Sequence, residues 1–369
     1  MKSNYDIIII GGGLAGLTTA LQLSKSRLSV LLIDKNTFPN QKVCGEYVSN
    51  EVLPYLNRLG VDPLAMGAKQ ITTLQLSTTK GKQIQVKLPL GGFGISRYAL
   101  DDALYQQLVK STPVLHDTVT QVELIDDLFT VETISKKQFH AKYVVGAYGK
   151  RSNLDKVLHR KFFSNKTRWM AVKGHYKGSF PDNRVALHHF HGGYCGLSKV
   201  ETGAVNVCYL TTTQSFKNHK SIADFEKEVL CKNPYLKDFY AGAEPLFDKP
   251  LTISQISFER KNTVENHIFM VGDSASLIHP LCGNGMAMAI TAAKLLAEIL
   301  IEMQGKNRKE IEQAYTQQWK KTFVTRLKYG SFLQSIMMRP FLLGAGIQLA
   351  QWQPNIISGL IAETHGKPF

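Results

Sequence analysis

The chain has 369 residues, 44% hydrophobic and 20% charged, the balance of a folded protein with ample length for a core, which excludes disorder as the default. A net charge of +15 admits three kinds of anionic partner: nucleic acid, an acidic membrane surface or an anionic cofactor. The five cysteines form no C-x-x-C pair; this argues against a disulfide framework or a structural zinc, fits a reducing cytosol, and leaves no metal site expected.

The first element is a strand. Ile7-Ile8-Ile9-Ile10 is an apolar run that meets Gly11, Gly13 and Gly16 in the spacing G-x-G-x-x-G, and a helical pattern follows through Ala20, Leu21 and Leu23. The run reads as a parallel strand buried on both faces. Gly11 permits the tight turn, Gly13 lets the backbone approach a pyrophosphate, and Gly16 lets helix and strand pack closely. The helix N-terminus then offers free N–H groups and a positive dipole end to phosphates. A second apolar run, Val30-Leu31-Leu32-Ile33, ends in Asp34, placed to hold the ribose hydroxyls of an adenosine. Together these elements predict a dinucleotide site, and NAD and FAD both fit it at this point. No apolar targeting segment is expected ahead of Tyr5, and the first apolar run is too short to span a bilayer.

Residues 51–59 read as a helix. Residues 71–77 and 83–88 read as strands joined by the turn Thr79-Lys80-Gly81, and 98–110 as a helix opened by Ser96-Arg97. Residues 119–124 and 128–133 form a hairpin around Asp126-Asp127, and 143–147 is another buried strand. From residue 168 the character changes. Alternating stretches at 169–176, 185–190, 203–210 and 251–258, interrupted by one helix at 221–230, predict a mostly antiparallel sheet. The first pattern then returns: an apolar strand at 268–271, Gly272-Asp273, and a loop from His279 to Met286 that opens a helix at 287–303. A polar helix runs from Gly305 to about Tyr329, and the tail from Phe332 to Ile361 is rich in Leu, Ile, Met and Gly.

The order of these motifs resembles the group A FAD-dependent monooxygenases and the geranylgeranyl-reductase-like flavoproteins, which share one layout. The residues that carry the resemblance are Gly11 to Gly16 with Asp34, Ser96-Arg97 at a helix start, and Gly272-Asp273 ahead of His279-Pro280 and Gly283-Asn284-Gly285. Cys44-Gly45-Glu46 is most similar to the second branch. The implied fold is α/β. It has a Rossmann-like FAD-binding domain split in sequence (1–75, 96–167, 263–304), a mixed, mostly antiparallel β-sheet substrate domain (76–95, 168–262) and a helical C-terminal segment (305–369). The implied cofactor is FAD, bound by Gly11, Gly12, Gly13, Ala15, Gly16, Asp34, Lys35, Cys44 and Gly45. Arg97 would meet the pyrophosphate, Val119 the adenine and Asp273 the ribityl chain, while Gly283, Gly285 and Met286 would face the pyrimidine edge of the flavin. That last placement has an independent reason, because a helix N-terminus stabilises the negative charge of a reduced flavin near N1.

The chain departs from the pattern twice. Many relatives have Asp-Gly where this chain has Tyr148-Gly149, followed by Lys150-Arg151; that acid is associated in the family with both FAD and pyridine-nucleotide handling, so its absence argues against NADH or NADPH as the direct electron donor. Prenyl reductases carry Tyr-x-Trp-x-Phe-Pro where this chain has Tyr194-Cys195-Gly196-Leu197-Ser198-Lys199, which argues against a prenyl chain specifically. The Trp-x-Trp-x-Ile-Pro motif of halogenases is absent.

Candidates for chemistry beyond the flavin are few. Cys44 is a redox-active thiol or a small packing residue, Glu46 a proton donor or a loop acid, and His279 a hydrogen-bond donor near the flavin or a turn cap. His188, His189 and His191 cluster on one strand, but no acid or thiol at ligand spacing joins them, so a polar sheet face is the expectation rather than a metal. The implied activity is that of an FAD-dependent oxidoreductase, first a monooxygenase hydroxylating an apolar or aromatic small molecule. The alternatives are reduction of lipid or isoprenoid double bonds, and a flavin-binding redox partner without turnover. No nucleic-acid motif is present, so nucleic acid is not an expected partner. The positive charge from Lys306 to Arg339, set among apolar residues, reads either as a solvated helix surface or as peripheral contact with the inner face of a membrane; the cytoplasm is the expected compartment.

Overall fold

The isoleucine run forms the strand Asn4–Ile10, in which Ile7, Ile8 and Ile9 have no solvent exposure. The helix Leu14–Leu23 packs on this strand and on Val30–Asp34, and in turn against Gly285–Glu302 and Arg97–Leu108. Val30–Asp34 and Gln138–Gly146 flank it in parallel, with Ile10 opposite both Ile33 and Gly146. Val114–His116 extends the sheet beyond Val30–Asp34, and Ile268–Met270 extends it beyond Gln138–Gly146, again in parallel. The hairpin Val119–Ile125 and Leu128–Thr133 joins through Gln138–Gly146. Asp126 and Asp127 both have positive φ (49° and 62°), the conformation a two-residue hairpin turn needs. The computed structural model describes residues 3–165, 167–277, 283–353 and 355–369.

A second, mixed sheet follows the order Glu244–Pro245, Trp169–Lys177, Val205–Thr212, Gly193–Lys199, Arg184–Phe190, Lys69–Ser77, Gln83–Gly94, Tyr47–Ser49. Its pairs are antiparallel except Arg184–Phe190 with Lys69–Ser77, and Leu251–Ile256 adds to Trp169–Lys177. One face packs Phe190, Leu197, Val207 and Tyr209 against Phe225, Leu230, Leu236 and Phe239 of the short helices that follow it in sequence. The other face meets Met337, Leu343, Ile347 and Ile361 from the C-terminal segment.

Several expectations are corrected. Lys69–Ser77 and Tyr47–Ser49 lie in the second sheet, so the chain leaves the first sheet well before residue 75; the pairing partner, not sequence proximity to the first unit, decides membership. Gly203, read as the start of a strand, has φ +81° and belongs to the turn ahead of Val205–Thr212. The helix Pro234–Ala241 was not foreseen, because Asn233-Pro234 reads as a turn; here Asn233 is the N-cap, accepting from the Tyr235 N–H, and Pro234 is the first helical residue. The polar helix runs over Arg308–Met337, past Tyr329, and the tail forms the helices Pro340–Trp352 and Asn355–Thr364.

Candidate functional site

Because the parallel strands end in register, Gly11, Asp34 and Ala147 meet at one edge of the first sheet. Gly11 has φ +107°, and a Cβ there would lie 2.5 Å from the Ala147 carbonyl oxygen. A Cβ on Gly16 would lie 1.8 Å from the Gly11 carbonyl oxygen. Neither position admits a side chain, so the loop stays open to a ligand while the helix sits hard against the strand. The Asp34 carboxylate accepts from the N–H of Gly12 and, at 2.7 Å, from that of Asn36.

Arg97 sits over this loop, and a Cβ on Gly13 would be 3.7 Å from its Nη2. Ser96 fixes the start of its helix. The Ser96 hydroxyl accepts from the Ala99 N–H, and its own N–H and O–H donate to Glu201 at 2.7 and 2.6 Å. Arg97 donates twice to Asp101, at 2.7 Å each, and Lys42 donates to the same carboxylate at 2.8 Å. Burial opposes the charge on both partners. Attraction to Asp101 outweighs it and keeps the guanidinium charged, while Arg97 and Lys42 hold the Asp101 carboxyl below its ordinary range. The result is a buried cluster of positive excess beside the glycine loop, suited to a diphosphate.

A cavity of about 1230 Å³ runs from this cradle across to the second sheet. Its wall includes Gly11, Gly13, Ala15, Asp34, Lys35, Cys44, Gly45, Glu46, Arg97, Val119, Asp273, Gly283, Gly285 and Met286. The sequence-predicted residues are thus gathered on one surface, apart from Gly12 and Gly16, which are buried beside it, and His279, which lies outside the described residues. Gly285 begins the helix Gly285–Glu302, whose N-terminus therefore faces the cavity. Tyr148 lines it too, its hydroxyl 3.4 Å from the Met270 sulfur. Arg151 is not a free cation, since its guanidinium stacks 3.9 Å from the Phe163 ring centroid and donates to the Phe163 carbonyl.

The loop at Cys44 to Glu46 is clamped from the second sheet. Lys173 Nζ donates to the Lys42 carbonyl, Asn206 Nδ2 to that of Cys44 and the Ser198 hydroxyl to that of Gly45, at 3.2, 3.2 and 3.3 Å. Glu46 has φ +53° and is fully buried. Its Oε1 accepts from Lys173 Nζ at 2.5 Å and from the Arg97 N–H at 2.8 Å, and its Oε2 lies 2.6 Å from His175 Nε2. Glu46 is a loop acid with buried partners: it anchors a left-handed backbone position between the cavity wall and the strand Tyr47–Ser49. Cys44 remains free and half-buried on the wall.

Lys173, His175, Asn206, Lys42 and Asp101 were not foreseen. The one available signal was Lys173 on the same strand face as Trp169 and Ala171, where a charge implies a buried partner. Lys261 was also missed: it donates to the carbonyls of Lys150 and Asp273 at 3.0 and 2.9 Å, and burial lowers its pKa to about 8 against the pull of Asp273. The histidine cluster disperses into ordinary bonds. His188 pairs with Ser77 at 2.8 Å and His189 with Thr79 at 2.9 Å.

The far part of the cavity is apolar. The second sheet contributes Leu74, Leu76, Leu88, Val185 and Leu187, and the C-terminal helices contribute Ile336, Met337, Leu343 and Ile347. Among the described residues, neither of these two walls places an Asp, Glu, Lys or Arg on the cavity. The tail therefore forms one wall of the cavity. It is held there by Asn284, which donates to the Thr364 carbonyl, and by Phe369, whose N–H donates to the Glu51 carbonyl at 3.2 Å.

Residues 4–326 match the FAD binding domain family. Menaquinone reductase of Mycobacterium tuberculosis is 22% identical over 81% of this chain and 77% of its own length. Digeranylgeranylglycerophospholipid reductase of Methanococcus vannielii is 23% identical, with 91% and 88% covered. Among solved structures, the flavin-dependent brominase Bmp2 superposes with a TM-score of 0.80 at 19% identity, covering 98% of this chain and 94% of that one. The cradle fits the FAD of the matching family: two positions closed to any Cβ, a carboxylate at a strand end, a buried guanidinium over the loop and a helix N-terminus on the same cavity. The chain belongs to the FAD binding domain family and is an FAD-dependent flavoprotein.

Proposed function

We propose that this FAD-dependent oxidoreductase is a monooxygenase that hydroxylates an apolar or aromatic small molecule. The observation that carries the reading is the single cavity joining a diphosphate cradle to a chamber whose sheet and helix walls bear no formal charge. When bound, FAD supplies the redox chemistry, accepting a hydride and, once reduced, activating oxygen. The chain supplies position and shelter. Gly11, Gly13 and Arg97 would hold the diphosphate and Asp34 the ribose, and the N-terminus of Gly285–Glu302, which faces the cavity, would favour the negative charge of a reduced flavin. Leu76, Leu187, Ile347 and their neighbours exclude water and seat the apolar part of the substrate. No side chain is needed as a nucleophile.

The test uses the purified holoenzyme, an alkylphenol as probe, isotopically labelled oxygen, and NADH, NADPH or photoreduction of the flavin to supply the two electrons each hydroxylation consumes. The expected product carries labelled oxygen in proportion to the oxygen consumed. Turnover that proceeds equally well without oxygen overturns the reading.

One observation favours a second reading, reduction of an isoprenoid double bond. Cys44 places a thiol on the cavity wall, and such a reduction needs a proton donor beside the ring. Two of the relatives are named as reductases of isoprenoid lipids. This reading predicts oxygen-independent consumption of reduced nicotinamide with menaquinone as probe.

A further inference from the structure

The apolar chamber reaches the outside through the C-terminal helices. Phe332 and Leu349 both line the cavity and are each 53% exposed, so its apolar wall turns outward there. The helix Pro340–Trp352 continues that surface. Leu343, Ile347 and Ala350 are its buried face. The opposite stripe, Phe341, Ala345, Leu349 and Trp352, recurs at helical spacing and faces out, with Phe341 84% and Trp352 80% exposed. A helix lying in water carries polar residues on that stripe. Between Phe341 and Trp352 there is no charged residue at all.

Cations surround the apolar stripe. Arg339 is exposed and immediately precedes the helix. Lys82 reaches across to Gln348 Oε1 at 3.0 Å. Lys87 is exposed on Gln83–Gly94, the strand that Gln351 and Ser358 of the two last helices bond to, and Lys328 is exposed on Arg308–Met337.

We propose that this face docks on an anionic lipid bilayer, with the stripe Phe341, Leu349 and Trp352 sunk among the headgroups and Arg339, Lys82 and Lys87 against lipid phosphate. A lipid-soluble substrate then passes into the chamber at Phe332 and Leu349 without crossing water. This second step rests on the chamber being the substrate site; the docking does not. The helix lies in the plane of the surface, because among the described residues no helix is long and apolar enough to cross a membrane. Charge selects a bilayer over a second copy of the chain. In an isologous dimer the flanking cations of two chains of net charge +15 would face each other, whereas phosphate attracts them.

The holoenzyme is sedimented with vesicles of phosphatidylcholine alone and with vesicles half of whose lipid is phosphatidylglycerol. The expected result is binding to the anionic vesicles that is about tenfold weaker both for neutral vesicles and for the double variant Phe341→Ser, Trp352→Ser. That variant removes only exposed side chains outside the cavity, so its flavin spectrum and thermal midpoint stay as in the parent. A blue shift of tryptophan emission on vesicle addition, lost in Trp352→Phe, locates the contact on this helix. Absence of binding to anionic vesicles, or equal binding by the double variant, overturns the proposal. So does a dimer in sedimentation equilibrium that the double variant dissolves, since a second copy then covers the face. Vesicle binding without hydroxylation of the alkylphenol leaves docking intact and removes the monooxygenase reading; hydroxylation without vesicle binding does the reverse.

Discussion

Lys173 Nζ and Glu46 Oε1 stand 2.5 Å apart with both side chains wholly buried, so a charge pair joins the second sheet to the loop that carries Cys44. A buried pair gains little over a well-packed apolar joint, but losing one partner leaves a buried charge unmet. Lys173→Met is expected to lower folding stability by about 3–5 kcal/mol. Adding Glu46→Gln should restore part of that loss, because the uncompensated charge goes with it. Denaturant titration of the two single variants and the double variant measures the coupling, and strictly additive losses would remove the pair from its role as a joint.

Arg97→Ala is expected to weaken FAD binding by roughly tenfold to a hundredfold, the scale of one lost charge-assisted contact. Fluorescence titration of the apoprotein with FAD reads it. An unchanged affinity would mean that the guanidinium serves only Asp101.

Gly196 tests the chamber. A Cβ there would lie 3.4 Å from the Leu187 Cδ2 and 3.5 Å from the Cys208 carbonyl oxygen, so the added side chain grows into the cavity that Gly196 lines. Gly196→Trp is expected to leave FAD absorbance intact while turnover of a long-chain alkylphenol falls at least about tenfold relative to phenol, since an apolar pocket discriminates by the volume it offers. Equal losses for both probes would place the substrate elsewhere.

Cys44 separates the two enzymatic readings. Asn206 bonds the Cys44 backbone carbonyl rather than its thiol, so Cys44→Ala keeps the loop in place. Oxygen-coupled hydroxylation is expected to persist within a few-fold in this variant. A loss of a hundredfold or more, the scale of a missing general acid, would favour double-bond reduction.

His188 and His189 predict an acid limit. Burial first, then Arg184 for His188 and His191 for His189, lowers each from 6.5 to about 4. As pH falls below the ordinary value the unfolded chain takes up these protons before the folded one does. Stability is therefore fully present at neutral pH and declines progressively toward about pH 4. Denaturant midpoints at about pH 7 and about pH 5 should differ in that direction, and His188→Gln should reduce the difference.

The first unit of the fold was legible because its information is local. Strand, glycines, helix and Asp34 follow one another within one short stretch, and each residue type has a backbone reason to be where it is. Gly283 and Asp273 were legible because the same kind of local sign recurs there. The joint at Glu46 was not: Lys173 and His175 lie 127 and 129 residues away, and nothing in local periodicity pairs a strand lysine with a distant loop acid. The tail was half legible. Its apolar content was plain, but only the packing of Leu343 and Ile347 inward, with Phe341 and Trp352 left outward, separates wall from surface.

The split of the first sheet has a consequence for how the protein is born. The glycine loop emerges from the ribosome early, yet the end of Gln138–Gly146 at Val145 and Gly146, beyond its pairing with Leu128–Thr133, waits for Ile268–Met270, and the greater part of the second sheet is made in between. Through that interval the nascent chain carries a short unpaired parallel edge there, and the contacts that cover it are distant ones that form slowly. The helix Gly285–Glu302, which packs on Leu14–Leu23, comes later still. The cavity wall is therefore complete only once residues from both ends of the chain are in place.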